Sequence, residues 1–196
     1  YADISNGEWK FVCVDSRTDN YVVPKGAMGH RWDDVQGNWN MKLENSSDDA
    51  PYDPMLTFLS QHDDVIETRF VEWGTDTSAM RGVPVRKVQT SNGEALVTTV
   101  YDLIMAQYGV NRGLVGDYPA DYEDKSAAYT PAWQEVFTGV DAATVLQFAR
   151  EWANTANLTN GKCMIIVGAG INHWYHGNLM YRAGAMALML SGCVGR

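Results

Sequence analysis

Residues 164–176 read Met-Ile-Ile-Val-Gly-Ala-Gly-Ile-Asn-His-Trp-Tyr-His. An apolar run enters a glycine turn, and the turn delivers an amide (Asn172), two imidazoles (His173, His176) and two aromatics (Trp174, Tyr175). Amide and neutral imidazole each offer a donor and an acceptor, which suits a polar multi-ring cofactor or a small oxyanion. Gly168 and Gly170 would let such a ligand approach the backbone with no β-carbon in the way. A lone G-x-G without a third glycine, or an acidic residue at the right distance beyond it, argues against a nicotinamide dinucleotide. His173 and His176 are spaced for two metal ligands on one helical turn, but no third ligand is near, so polar contacts are the better reading. A second pair, Gly192 and Gly195, brackets Cys193-Val194 after an apolar helix. It suits a helix cap or a phosphate-contacting turn.

These side chains need elements to hold them. Residues 164–167 are a short continuous apolar run, as in a buried parallel strand. Residues 179–190 are apolar nearly all round and predict a buried helix. Upstream, Thr130-Pro131 is an N-cap followed by proline at the first helical position; the helix covers 131–137 and Gly139 ends it. Asp141 caps a helix over 142–155 with Val145, Leu146, Ala149, Trp152 and Ala153 as its apolar stripe. Helix, strand, glycine turn and helix make half of a doubly wound unit, whose ligands bind at the carboxyl ends of strands. Residues 129–196 are therefore expected to be an α/β, parallel-sheet, cofactor-binding portion.

Residues 1–128 read as a portion rich in β-hairpins and loops. Residues 9–15 alternate, 16–20 turn, and 21–23 return, with Pro24 and Gly26 closing the hairpin. Residues 33–53 are polar and predict a surface loop. The runs 83–89 and 95–101 flank Ser91-Asn92-Gly93-Glu94, a strong hairpin signal. Residues 101–108 predict a helix capped by Gly109, and 113–126 a loop. Asp33-Asp34, Asp48-Asp49 and Asp63-Asp64 lack calcium-loop spacing and belong in solvated loops.

Composition narrows the classes further. With 45% apolar and 20% charged residues the chain can build a core. Seven tryptophans and ten tyrosines favour core aromatics, with a large cofactor as the alternative. The net charge of −9, with no basic stripe, disfavours nucleic acid. Cys13, Cys163 and Cys193 form no CxxC pair, which disfavours a disulfide scaffold or a zinc or iron–sulfur site within the chain; Cys163 is expected to be a buried free thiol. No run reaches the ~18 apolar residues needed to span a bilayer.

Several of these stretches resemble the catalytic alpha subunits of membrane-bound respiratory nitrate reductases, in the dimethyl sulfoxide reductase superfamily of molybdenum enzymes. The resemblance is carried by residues 164–176, by Tyr129-Thr130-Pro131-Ala132-Trp133, by residues 95–103 and by Tyr108-Gly109-Val110-Asn111-Arg112-Gly113-Leu114. It is looser at Lys25-Gly26-Ala27-Met28-Gly29-His30-Arg31-Trp32 and thins between Val35 and Arg81. It implies a molybdopterin oxidoreductase fold and a molybdenum bis(molybdopterin guanine dinucleotide) centre. It also implies a 4Fe-4S cluster, an iron–sulfur beta subunit and a membrane gamma subunit that oxidises quinol. Nitrate would be reduced to nitrite in anaerobic respiration, at the membrane through the partner subunits, on the cytoplasmic face (the outer face in an archaeal source). Selenate, chlorate and perchlorate reductases share the scaffold, and a non-catalytic α/β module with a structural glycine turn is the alternative of another class. By the resemblance, Asn172 and His173 stand beside the pterin and His173 is the candidate catalytic residue. Gly192 and Gly195 match a later pterin-facing turn, and Arg196 stands where the family has glutamine.

Tyr1 is not an initiator methionine and Arg196 follows Gly195 inside a glycine turn, so the chain is read as an internal piece with both portions incomplete. The family's aspartate ligand to molybdenum and its cluster ligands would lie before Tyr1. The chain expressed alone is accordingly expected to bind no stoichiometric molybdenum or iron and to reduce no nitrate. Metal analysis with a viologen-coupled nitrate assay checks this, and genuine turnover by the isolated chain would refute it.

Overall fold

A computed structural model describes residues 12–25 and 42–194. The expected strand start at 9–11, Gly26, the family-like residues 26–32, Asp33-Asp34 with the rest of the polar stretch to 41, Gly195 and Arg196 lie outside the described residues. The chain divides into two units, Tyr1–Val71 with Thr77–Asp117, and Glu72–Asp76 with Tyr118–Arg196.

In the first unit, the alternating run before Ser16 forms β1 (Cys13–Val14), which pairs antiparallel with β2 (Tyr21–Val22). Asp15 fastens the turn between them. Its carboxylate accepts from Thr18 Oγ1 at 2.8 Å and from the Asp53 amide at 3.0 Å. The Asp53 amide is the largest influence drawing its pKa down from 3.8 to about 2. β3 (Pro24–Lys25) pairs antiparallel with β4 (Lys42–Asn45). Here the structure corrects the expected loop at residues 42–45 alone, with 46–53 remaining turn and irregular chain: Lys-Leu-Glu-Asn has no clear alternation, and the pairing comes from a distant partner.

The main sheet has the order β5-β6-β7, from β5 (Asp64–Val71), β6 (Ser78–Thr90) and β7 (Gly93–Val97), all antiparallel. The Asn-Gly signal is realised, with Thr90 paired to Gly93 across Ser91-Asn92. Asp64, expected in a loop, opens β5, while the Asp63 carboxylate accepts from the Lys87 amide at 2.7 Å. β6 serves two partners in succession: Ser78 to Val85 pair with β5, and Arg86 to Thr90 with β7. Pro84 sits near the changeover, where Thr98 Oγ1 donates to its carbonyl at 2.8 Å. Opposite β5, residues 115–117 lie against β6, with Gly82 N donating to Val115 O at 2.7 Å. Gly116 has φ +136°, and a β-carbon there would meet the Arg81 Cα at 2.6 Å. Only glycine allows that approach.

α1 (Val100–Gln107) follows the sheet. Thr99 caps it by accepting from the Asp102 amide, and Gly109 takes the left-handed conformation at φ +67°. Ala106 packs with Phe70 and Val83 in the core. Both ends of the helix meet buried charge. At the N-terminal end, Asp102 has no solvent exposure. Its carboxylate accepts from Thr57 Oγ1 (2.5 Å), the Phe58 amide (2.9 Å), Thr99 Oγ1 (2.9 Å) and Arg112 Nη1 (2.7 Å). At the C-terminal end, buried Arg81 donates to the carbonyls of Ala106 and Gln107, each at 3.0 Å, and to Asp117 O at 2.8 Å. Negative charge at a helix start and positive charge at its end both oppose the helix dipole favourably.

In the second unit, the caps act as their residue types predict. Thr130 accepts from the Trp133 amide at the start of α2 (Pro131–Thr138), and Gly139 ends it at φ +71°. Asp141 caps α3 (Ala142–Leu158), which runs beyond residue 155 because Ala156 is still buried against the unit. α4 (Ala169–Asn172) and α5 (Gly177–Leu190) follow.

The expected parallel strand is not formed. Residues 162–168 pair with no strand, and every strand pair among the described residues is antiparallel. The fold is mixed α/β with small antiparallel sheets. A ladder needs a second strand, and the described chain offers none beside residues 164–167. The run nevertheless keeps the alternation of a strand: Met164 and Ile166 are 76% and 86% exposed, Ile165 and Val167 38% and 42%. α5 departs from the expected burial too, since Leu179, Met180, Met189 and Leu190 are exposed. The α3 stripe lines an open apolar cleft of about 490 Å³, with Val145, Phe148, Trp152, Ile165 and Leu190 on its walls.

Asp102 supplies the first stability test. Asp102→Ala takes the carboxylate partner from the largely covered Arg112 and strips the acceptor from three other donors. We expect a loss of about 3–5 kcal/mol, read as a lower urea midpoint, with faster hydrogen exchange in α1.

Candidate functional site

The candidate turn is built from α4 and the few residues that join it to α5. Gly168 starts α4 as its N-cap, and the Ile171 amide donates to Gly168 O at 3.2 Å. The chain then steps down by short bonds, Trp174 N to Ile171 O (3.2 Å) and Gly177 N to Trp174 O (3.0 Å). Residues 168–176 thus come together in one turn. Asn172, His173, Trp174, Tyr175 and His176 are all exposed.

The side chains are only partly engaged. Tyr181, one turn into α5, donates its hydroxyl to Asn172 Oδ1, which occupies the amide's acceptor and not its donors. Tyr175 stacks edge-on against His176, with ring centroids 4.7 Å apart. His176 occupies the N-cap of α5 but makes no side-chain cap bond. His173 ends α4, and its backbone amide, not its ring, bonds Ile171 O. The imidazoles accept or donate no side-chain hydrogen bond among the described residues.

The glycines of the turn fall into two kinds. Gly177 is buried, and a β-carbon there would collide with the Ile171 carbonyl oxygen. Internal packing therefore demands glycine at 177, a residue the sequence reading passed over. Its signal was the tight spacing between two helices, which is visible only once both are placed. At Gly168 and Gly170 a β-carbon would meet nothing within 4 Å, and neither has positive φ. Nothing in the chain's own packing requires glycine at these two positions. An external group seated against the backbone would. The residues present therefore fit a cofactor edge at 168–172.

Gly192 is different again. It follows the Ser191 C-cap of α5 with φ +68°, so its backbone conformation alone accounts for glycine. It lies beyond the far end of α5 from His176, and α5 itself is about 21 Å long by helical rise. The two glycine turns are not one small site. Cys163, expected to be buried, is half-buried. Among the described residues, no three His, Cys, Asp or Glu side chains come together to hold a metal ion, and no helix is long and apolar enough to cross a membrane.

No family model matches the chain. It is similar to the nitrate reductase alpha chain of Bacillus subtilis, at 39% identity over 96% of this chain and 15% of that protein. It is similar to the respiratory nitrate reductase 1 alpha chain of Escherichia coli, at 38% identity over 98% of this chain and 16% of that protein. A more distant similarity, 24% over 95% of the chain and 16% of the relative, is to the perchlorate reductase subunit alpha of Dechloromonas aromatica. The chain spans about one sixth of the length of these relatives. Identity of 38–39% across 96–98% of this chain marks it as the counterpart of one segment of the nitrate reductase alpha chains, and it belongs to their family.

Proposed function

We propose that the chain is part of a molybdenum-dependent nitrate reductase and that residues 168–176 form an edge of its cofactor site. The observation that carries this reading is the 38–39% identity to nitrate reductase alpha chains across 96–98% of the chain. The vacant surroundings of Gly168 and Gly170 support it from the structural side. The cofactor is a molybdenum bis(molybdopterin guanine dinucleotide). Gly168 and Gly170 admit its approach to the backbone, and Asn172, through its free NH₂, donates a hydrogen bond to it. His173 and His176 add further polar contacts. Gly192 and Gly195 serve a second part of the cofactor; an extended dinucleotide can reach two turns that a small oxyanion cannot.

When bound, the molybdenum centre supplies the two-electron oxygen-atom transfer that turns nitrate into nitrite and water. This chain's part is to orient and to stabilise charge. His173 would donate from its imidazole to a nitrate oxygen. A donor aimed at developing charge lowers the barrier, and the bound cofactor and the rest of the subunit would hold the exposed ring in that place. Electrons come from quinol through 4Fe-4S clusters, one in the alpha subunit and others in an iron–sulfur beta subunit, with a gamma subunit in the membrane. The alpha subunit is thereby membrane-associated, on the cytoplasmic face. A second reading, perchlorate reduction at the same scaffold, is favoured only by the 24% similarity to a perchlorate reductase. Nitrate and perchlorate turnover by the full-length enzyme separates the two.

The glycine argument generates a paired test in the full-length subunit. Gly170→Val has room for its side chain, so the subunit folds but loses molybdenum. Gly177→Ala collides with the chain itself and lowers the yield of folded subunit. Full molybdenum content in Gly170→Val would make Gly170 a plain turn residue and favour the non-catalytic module.

The imidazole argument generates another. Removing a donor of this kind costs roughly 3 kcal/mol of barrier, so His173→Ala should lower nitrate turnover per molybdenum by about two orders of magnitude. His176→Ala should have a smaller effect. Unchanged turnover per molybdenum in His173→Ala would remove His173 from the reaction.

A further inference from the structure

Cys163 and Cys193 are 30 positions apart and neither belongs to the candidate turn, yet the fold sets one against Trp152 and the other against its hydrogen-bond partner Ser191. Independent contacts converge on the same spot. Cys163 Sγ lies 3.8 Å from the Trp152 carbonyl oxygen. The Trp152 indole N–H donates to Ser191 Oγ at 3.0 Å, and Ser191 Oγ lies 3.3 Å from Cys193 Sγ. α3 and the C-terminal end of α5 thus clasp both sulfurs around one tryptophan. Both cysteines are free thiols and both are half-buried, so a small reagent can reach them.

We propose that Cys163 and Cys193 are a reversible dithiol–disulfide pair, oxidised by a low-molecular-weight disulfide. The two thiols have different parts. The Ser191 hydroxyl, and then Cys163 itself, favour the Cys193 thiolate and draw its pKa down. Burial pushes the Cys163 thiol up. Cys193 is therefore the attacking sulfur, because the thiolate is the nucleophile. Its thiolate attacks one sulfur of the external disulfide; a mixed disulfide forms and one thiolate leaves. Cys163 then loses its proton and its thiolate attacks Cys193 Sγ. The internal disulfide forms and the second external thiolate leaves. Two protein thiols are oxidised, one external disulfide is reduced to two thiols, and the two protons released end on those thiols. The bond would join the extended run before Gly168 to the turn that holds Gly192.

The test uses the full-length subunit with oxidised glutathione as the probe, followed by alkylation, digestion and peptide mass mapping. We expect a peptide cross-linked between Cys163 and Cys193, alkylation lost at both positions together, and both restored by dithiothreitol. Cys163→Ser should stall the reaction as a glutathione adduct on Cys193. Cys193→Ser should leave Cys163 largely free to alkylate. Separate glutathione adducts on the two cysteines of the unsubstituted subunit, retained alkylation at both, or a cross-link from either one to Cys13 would each overturn the proposal. Because the readout is covalent and needs no molybdenum, it stands apart from the test of nitrate reduction.

Discussion

Asp102 carries a carboxylate that is wholly withdrawn from water. Burying such a charge costs several kcal/mol, and the cost is offset only where donors fill its lone pairs. Four donors do so here, from the 57–58 turn, the α1 cap and Arg112. Three separate stretches of the first unit are thereby required to meet at one point. Arg81 imposes the matching requirement at the other end of α1, where its guanidinium closes the last carbonyls and reaches Asp117 O. α1 is pinned at both ends, and its apolar face has no choice but the Phe70–Val83 side of the sheet. Arg86 extends the same logic to the first hairpin: it holds Asp19 through two bonds of 2.7 Å while its guanidinium lies over the Phe58 ring.

The second unit rests on weaker terms. α2 and α3 are well capped, but much of the apolar surface of the unit is not covered by the described chain. Met164, Ile166, Leu179 and Met189 are exposed, and the α3 stripe borders an open cleft. Order in this unit comes from local bonding and from the contacts between α3, the 162–168 run and the end of α5. Trp152 is the hub: its indole binds Ser191 and its carbonyl receives Cys163. The glycine turn is therefore positioned from both sides, by an extended run anchored on α3 and by α5, whose first residue, Gly177, fits only without a side chain.

Within that turn, separating glycines by what demands them is informative about function. A glycine required by packing, such as Gly177, or by left-handed backbone, such as Gly192, explains itself. Gly168 and Gly170 satisfy neither condition, and the exposed Asn172 and His173 stand directly after them. Exposed polar groups next to unobstructed backbone leave this turn open to an external group. For Gly192 the left-handed backbone is a complete account without a ligand.

Capping, turn chemistry and hairpin pairing were determined by the sequence alone. Thr99, Thr130 and Asp141 cap their helices, Gly139 and Gly109 follow theirs, and Asn92-Gly93 joins β6 to β7, because each effect is local and acts within a few residues. The candidate turn was legible for the same reason: glycines, amide and imidazoles are contiguous in the chain. The tertiary structure alone decided what depends on distant partners. β4 exists because β3 lies beside it, and residues 164–167 are no strand because none does. Asp102 meets Arg112, Gly177 meets Ile171 and Cys163 meets Trp152 only after folding. Periodicity reports which face of a segment is apolar, but not which surface will be there to cover it.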